Sequence, residues 1–140
     1  MAISGATNLQ ANNILSRDFG SVVYTPPSVW YIGVSTTTIN QDGTGATEPT
    51  DPAYARVAVD NNTTNWEALL VGTGRQNATA IEFPQATVNQ GTITYLGIWD
   101  AATSGNVRYY VQLINPKVVG IDDVLRVDIG NLQIKLIPST

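Results

Sequence analysis

Apolar and polar residues alternate along most of this chain with a period of two, which commits it to β-strands with one face turned to a core. Trp30, Ile32 and Val34 alternate with Val29, Tyr31, Gly33 and Ser35. Val57 and Val59 continue the pattern, as do Ile81 and Phe83. Ile93, Tyr95, Gly97 and Trp99 oppose Leu96 and Ile98, and Val107, Tyr109, Val111 and Leu113 alternate with Arg108, Tyr110, Gln112 and Ile114. Leu125, Val127 and Ile129 are expected to face away from Arg126 and Asp128, and Leu132, Ile134 and Leu136 away from Gln133 and Lys135. Turn chemistry separates these runs at Asp42-Gly43-Thr44-Gly45, Gly72-Thr73-Gly74, Ser104-Gly105-Asn106 and Gly130-Asn131. The last pair reads as a two-residue hairpin turn joining the runs on either side of it. The pattern predicts an all-β fold, an antiparallel sandwich of about eight strands with a jelly-roll-like character. There is no repeat of solenoid length and no heptad pattern.

Two stretches break the alternation. In the first twenty residues, Thr7-Asn8-Leu9-Gln10 has the form of a capping box, and Gly20 offers a stop. Leu9, Ile14, Leu15 and Phe19 lie between them as a loose apolar stripe, so residues 1–20 are expected to form an arm or short helix. The sandwich is expected over residues 21–140, and Pro26-Pro27 forces an extended approach to its first strand. The second stretch, from Thr36 to Tyr54, is polar and rich in Gly and Pro. It is expected either to project as a loop or to be ordered by a neighbouring subunit.

The chain has 140 residues and neither histidine nor cysteine. Ser-His-Asp and Cys-His nucleophile systems are thereby excluded, as are zinc sites built from nitrogen and sulfur ligands. The side chain that most often serves as general base near neutral pH is missing too. Asp122-Asp123 would point to opposite faces of a strand, and in a turn they are ordinary cap residues. Asp42, Glu48 and Asp51 share the long loop, but their spacing matches no calcium-loop pattern, and a solvated loop is the simpler reading. The Gly-rich turns lack the Lys-Ser/Thr ending of a phosphate loop. No enzyme activity, cofactor or metal is expected.

A net charge of −4, with seven scattered Lys and Arg, speaks against nucleic acid as a partner. No apolar run reaches the ~20 residues that span a bilayer. The N-terminal residues lack the basic and apolar regions of a signal peptide, so assembly in a cytoplasm is expected. Charged residues make up only 13% of the chain, about half the usual ~25%. Such a surface repels its neighbours weakly and suits packing against other subunits, homo-oligomers included. Trp30, Tyr31, Trp66, Tyr95, Trp99, Tyr109 and Tyr110 are candidates for a carbohydrate platform. On alternating strand positions, however, large rings belong first to a core or a subunit interface. Asn61, Asn62 and Asn77 each open an N-glycosylation tripeptide, a pattern common by chance in an Asn- and Thr-rich chain.

Several segments in order carry a resemblance. Tyr24-Thr25-Pro26-Pro27-Ser28-Val29-Trp30-Tyr31-Ile32-Gly33-Val34-Ser35-Thr36 is followed by Gly45-Ala46-Thr47-Glu48-Pro49 and Tyr54-Ala55-Arg56-Val57-Ala58-Val59. Then come Ile81-Glu82-Phe83-Pro84-Gln85-Ala86-Thr87, Gly91-Thr92-Ile93-Thr94-Tyr95-Leu96-Gly97-Ile98-Trp99-Asp100-Ala101 and Asn115-Pro116-Lys117-Val118-Val119. This colinear set, across about residues 9–136, resembles small virion proteins of tailed bacteriophages, usually described as tail fibre or minor structural proteins. The resemblance implies a β-rich, oligomeric particle component of the virion with no catalytic residues. With no shaft repeat, a capsid decoration or cement role is expected first, with the major capsid protein as partner. A tail-fibre or baseplate module, partnered by tail proteins, is the alternative, and a carbohydrate-binding sandwich stands third. Leu9, Ile14, Leu15 and Phe19 of the arm and Asp42, Glu48 and Tyr54 of the loop are the expected interaction residues.

Overall fold

The computed structural model describes residues 2–3 and 5–136. The elements run in the order β1 (Ala2–Ile3), β2 (Gly5–Ala6), α1 (Asn8–Gly20), β3 (Val29–Ser35), β4 (Val57–Asp60), β5 (Trp66–Ala68), β6 (Arg75–Asn77), β7 (Ile81–Glu82), β8 (Gly91–Trp99), β9 (Val107–Val119), β10 (Arg126–Val127) and β11 (Gln133–Ile134). A five-stranded sheet in the order β2-β9-β8-β3-β4 faces a four-stranded sheet, β1-β11-β6-β5, with β7 and β10 as a separate pair. All pairings are antiparallel except β1 with β11. The expected all-β sandwich with a short N-terminal helix is therefore the fold; many of its strands are only two or three residues long. Met1, Ser4 and residues 137–140, which fall within the expected arm and sandwich spans, lie outside the described residues.

The main core contains Ile32, Val34, Val59, Ile81, Phe83, Ile93, Leu96, Ile98, Val127 and Leu132, much as the alternation requires. β8 departs from strict alternation, because Ile93 shares this core with Leu96 and Ile98. The cause is an irregularity in its pairing with β9. Between the pairs Ile93–Lys117 and Tyr95–Gln112, β8 has only Thr94 while β9 has Leu113-Ile114-Asn115-Pro116. Such a mismatch shifts the side chains beyond it to the other face, and Pro116 has no N–H to restore the ladder. At the end of the sandwich, Ile129 and Leu136 are exposed, so the expected inward runs stop at Val127 and Ile134.

The five-stranded sheet has a second apolar layer on its opposite face, formed by Ile39, Trp99 and Val107 with Tyr31, Ala46, Tyr95 and Tyr110 packed against them. The Thr36–Tyr54 stretch covers this layer. It neither projects nor lacks internal partners. Ile39 is buried in it, Thr36 N–H donates to the Thr47 carbonyl at 2.9 Å, and Thr47 N–H donates to Ser35 Oγ at 2.9 Å. The loop's far end is anchored by Asp51, which accepts from Ala53 N–H (2.9 Å), Thr87 N–H (2.8 Å), Thr87 Oγ1 and Gln90 Nε2 (2.9 Å). The Thr87 hydroxyl, then Gln90, hold its carboxyl well below the usual carboxylate range.

The predicted Gly130-Asn131 hairpin does not form. The turn is present, with Asn131 N–H donating to the Asp128 carbonyl at 3.1 Å and Gly130 at φ +79°. Its flanking strands nevertheless go to different partners: β10 pairs with β7, and β11 with β6 and β1. Asn77, fully buried, directs the change of sheet. Its Nδ2 donates to the Asp128 carbonyl at 3.0 Å, its Oδ1 accepts from Leu132 N–H at 2.9 Å, and its carbonyl accepts from Gly130 N–H at 2.9 Å. That burial also removes Asn77 as a glycosylation acceptor.

Candidate functional site

The helix is attached to the sandwich by polar contacts, and this decides which of its side chains are left outside. Thr7 and Gln10, the expected capping box, do not bond to each other's backbone; no side-chain cap forms. Thr7 Oγ1 instead donates to the Val107 carbonyl at 2.8 Å, and Thr7 N–H to the Arg108 carbonyl at 3.0 Å. Gln10 is buried as the centre of a small network. Its Nε2 donates to Tyr109 Oη at 3.1 Å, and its Oε1 accepts from Tyr24 Oη at 3.2 Å and Arg108 Nη1 at 3.0 Å. Arg108 is the extra residue of a bulge, since Ile98 pairs with Tyr109 and Trp99 with Val107. Its Nε also donates to Asp100 at 2.9 Å. Burial of the Tyr109 ring pushes its hydroxyl pKa up, so the phenol stays a neutral partner for Gln10.

With Gln10 pointing in, the apolar residues of the helix are not its docking face. Ile14 is half-buried beside Tyr109 and Trp30. Leu9 is exposed, Leu15 is 53% exposed and Phe19 is 88% exposed. The last two are turned to solvent, Leu15 on the helix and Phe19 where the backbone leaves helical geometry at φ −119° and ψ 15°. Ser21 ends the helix in the left-handed region at φ +53°, and Val22 and Val23 follow, both exposed. The sequence reading missed these two valines, although an apolar pair directly after a helix stop was the signal available. It also missed Leu70 and Val71, which stand exposed in the loop between β5 and β6.

The three loop residues are not brought to that surface as free groups. Asp42 is exposed and caps its own turn, accepting from Thr44 Oγ1 (2.6 Å) and Thr44 N–H (3.0 Å), and the Thr44 hydroxyl lowers its pKa. Glu48 is engaged by Arg56 as a two-pronged pair, Nε to Oε1 and Nη2 to Oε2, both at 2.8 Å. The Arg56 guanidinium also donates to the Ala101 and Ser104 carbonyls and lies 4.3 Å over the Trp99 ring. Tyr54 donates to Glu48 Oε1 at 2.9 Å, accepts from Val34 N–H at 3.1 Å and stacks on Phe83. Burial pushes its pKa upward.

Among the aromatics, Trp99 is 3% exposed beneath Arg56 and is a packing residue. Trp30 and Tyr109 meet edge to face at 6.0 Å, partly buried against the main core. Asp122 and Asp123 lie in a turn, where Asp123 accepts from Gly120 N–H at 2.8 Å. Among the described residues no three His, Cys, Asp or Glu side chains come together as a metal site, and no helix is long and apolar enough to cross a membrane.

The arrangement is thus a sandwich that exposes apolar side chains on a polar-anchored helix. No curated protein matches the chain. A family model does match it, over residues 5–135, and its description reads "Podophage GP4 fiber I protein gp80". The match takes in every element from β2 to β11, so the chain belongs to this podophage fibre protein family and is a phage structural protein of the virion.

Proposed function

We propose that the chain is a non-enzymatic module of a podophage fibre that docks onto another virion component through the outward side of α1 and the residues after it. The observation that carries this reading is the exposure of Leu15 and Phe19 towards the end of the helix, continued by Val22 and Val23. A helix held to its own domain by Gln10 and Thr7 does not need those side chains for folding. Adjoining apolar side chains in solvent mark a surface made for a partner. The same surface would serve a decoration protein clasping capsid subunits, but the family's description as a fibre favours the tail.

Self-association belongs to the same reading. β9 pairs with β2 only at Tyr109 and Tyr110, and its outer edge beyond them has no strand partner among the described residues. Ile114 and Val118 are exposed along that stretch, a row that a second copy would cover.

The test is the copy number and position of the chain on purified virions, by quantitative mass spectrometry with electron cryomicroscopy. A few copies at the tail support the fibre module. Hundreds spread over the head would overturn it in favour of decoration.

A further inference from the structure

β1, β2 and α1 form an arm that a sparsely bonded linker joins to the rest of the fold. Ser21 to Ser28 form neither helix nor strand and are mostly exposed. Beyond Val22 the linker's backbone is held, among the described residues, only at its far end. There Asn61 donates from its N–H to the Ser28 carbonyl at 2.9 Å and from Nδ2 to the Pro27 carbonyl at 2.8 Å. The arm itself is bonded to residues remote in sequence. β2 pairs with β9 through Gly5–Tyr110 and Ala6–Tyr109, β1 pairs with β11, and Thr7 and Gln10 bond to β9. We propose that this arm is exchanged between copies of the chain, each copy's β1, β2 and α1 seated on the β11 and β9 of another. The exchange deepens the self-association reading above and rests on it.

Three observations carry it. The seat on a second copy is the same seat, so every strand pairing and hydrogen bond of the arm is kept without a new surface having to fit; this makes exchange a low-cost route to assembly. The hinge is strained in the closed chain. Ser21 turns out of the helix at φ +53° and ψ +27°, a left-handed conformation that is costly for a residue with a Cβ. An exchanged arm lets Ser21 extend, and strained hinges invite such exchange. The apolar side chains then fall where they are needed. Phe19, Val22 and Val23 flank Ser21 and are 88%, 55% and 90% exposed. Where two linkers cross, these side chains would lie against their counterparts. A different virion protein docking on them would leave Ser21 in its strained turn, so the strain favours a second copy.

The experiment uses the full chain, which has no cysteine of its own. Gly5→Cys and Tyr110→Cys are introduced together at paired positions, where the space a side chain at position 5 would enter is now filled by the Tyr110 ring. After oxidation the protein is sized in solution and then run on a denaturing, non-reducing gel. Exchange predicts an oligomer whose chains remain covalently linked on the gel. Ser21→Gly, which relieves the closed turn, should lower the linked fraction by about fivefold, the weight of one left-handed residue. Ser21→Pro, with φ fixed at about −65°, should raise it. An oligomer with only internal bridges would overturn the exchange and leave self-association standing. A monomer with internal bridges at every concentration would overturn both. The same oligomer distribution for Ser21→Gly and Ser21→Pro, measured without the cysteines, would overturn the hinge even if the bridged variant failed to fold.

Discussion

Gly97 and Gly33 pair across β8 and β3, and the indole of Trp99 lies directly on them. A Cβ on Gly97 would stand 2.6 Å from Trp99 Cζ3, 2.9 Å from Cη2 and 3.2 Å from Ile39 Cδ1. The indole has nowhere to retreat, because the Arg56 guanidinium sits 4.3 Å above it, fixed in turn by Glu48. Gly97→Ala is therefore an overpacking substitution, expected to cost ~1–3 kcal/mol. In a domain of this size that is a fall in Tm of roughly 3–10 °C. The opposing gain from a stiffer unfolded chain is smaller, ~0.4–1 kcal/mol. If Trp99 is the obstacle, the sign should reverse once it is gone. In a Trp99→Leu background, Gly97→Ala should be neutral or stabilising by up to ~1 kcal/mol, since glycine within a strand is itself unfavourable. The assay is urea unfolding of the four proteins of this cycle, followed by far-ultraviolet circular dichroism so that loss of a tryptophan does not alter the signal. A coupling on the order of 2 kcal/mol is expected; additivity within ~0.5 kcal/mol would refute the packing account.

Replacing Leu15 and Phe19 together by serine should leave the unfolding free energy within ~0.5 kcal/mol of wild type, as for other surface changes, yet abolish incorporation into virions; full incorporation would remove the helix from the docking surface. Substitution is the right tool here, because deletion of the first twenty residues would also remove β1, β2 and buried Gln10. Asp51 has a lowered folded pKa, so its carboxylate contributes stability fully above its unfolded value near 3.8 and loses it as pH falls towards the folded value. The Tm gap between wild type and Asp51→Asn should accordingly be widest near neutrality and narrow below about pH 4; a gap that does not change with pH would show that the charge is immaterial. Val127→Asp places an unpaired charge in the main core and should cost at least ~3 kcal/mol by denaturant titration, and wild-type stability would mean that Val127 does not face inward.

The alternation was a sound guide wherever one face alone meets a core, as at Val57 and Val59 or Ile81 and Phe83. It concealed the second layer, because the positions under Trp99 are glycines and glycine carries no apolar signal. It misplaced Ile93 because the mismatch with β9 depends on a partner strand, which a local pattern does not contain. Gly130-Asn131 was correctly read as a turn, but the choice of partners for its flanks rests with Asn77, remote in sequence. Thr7 and Gln10 met the same fate: their side chains are drawn from a local cap to contacts with β9. On the candidate surface, Leu9, Leu15 and Phe19 stood out as apolar residues in a segment too short to build a core of its own. Glu48 and Tyr54 did not betray their role, since a loop carboxylate reads the same whether it is solvated or gripped by Arg56.

The parallel pairing of β1 with β11 joins Ala2–Ile3 to Gln133–Ile134, the first strand of the fold to the last. Growing from the ribosome, the protein makes β1 first and must wait for this contact until β11 has been synthesised. Closure over so long a loop makes for slow folding, in the range of milliseconds to seconds that non-local sheets share. Throughout that wait the edge of β11's future neighbours is open to other chains. Until β11 arrives, the edge of β6 that it will cover is free to pair with another strand, so closure competes with association.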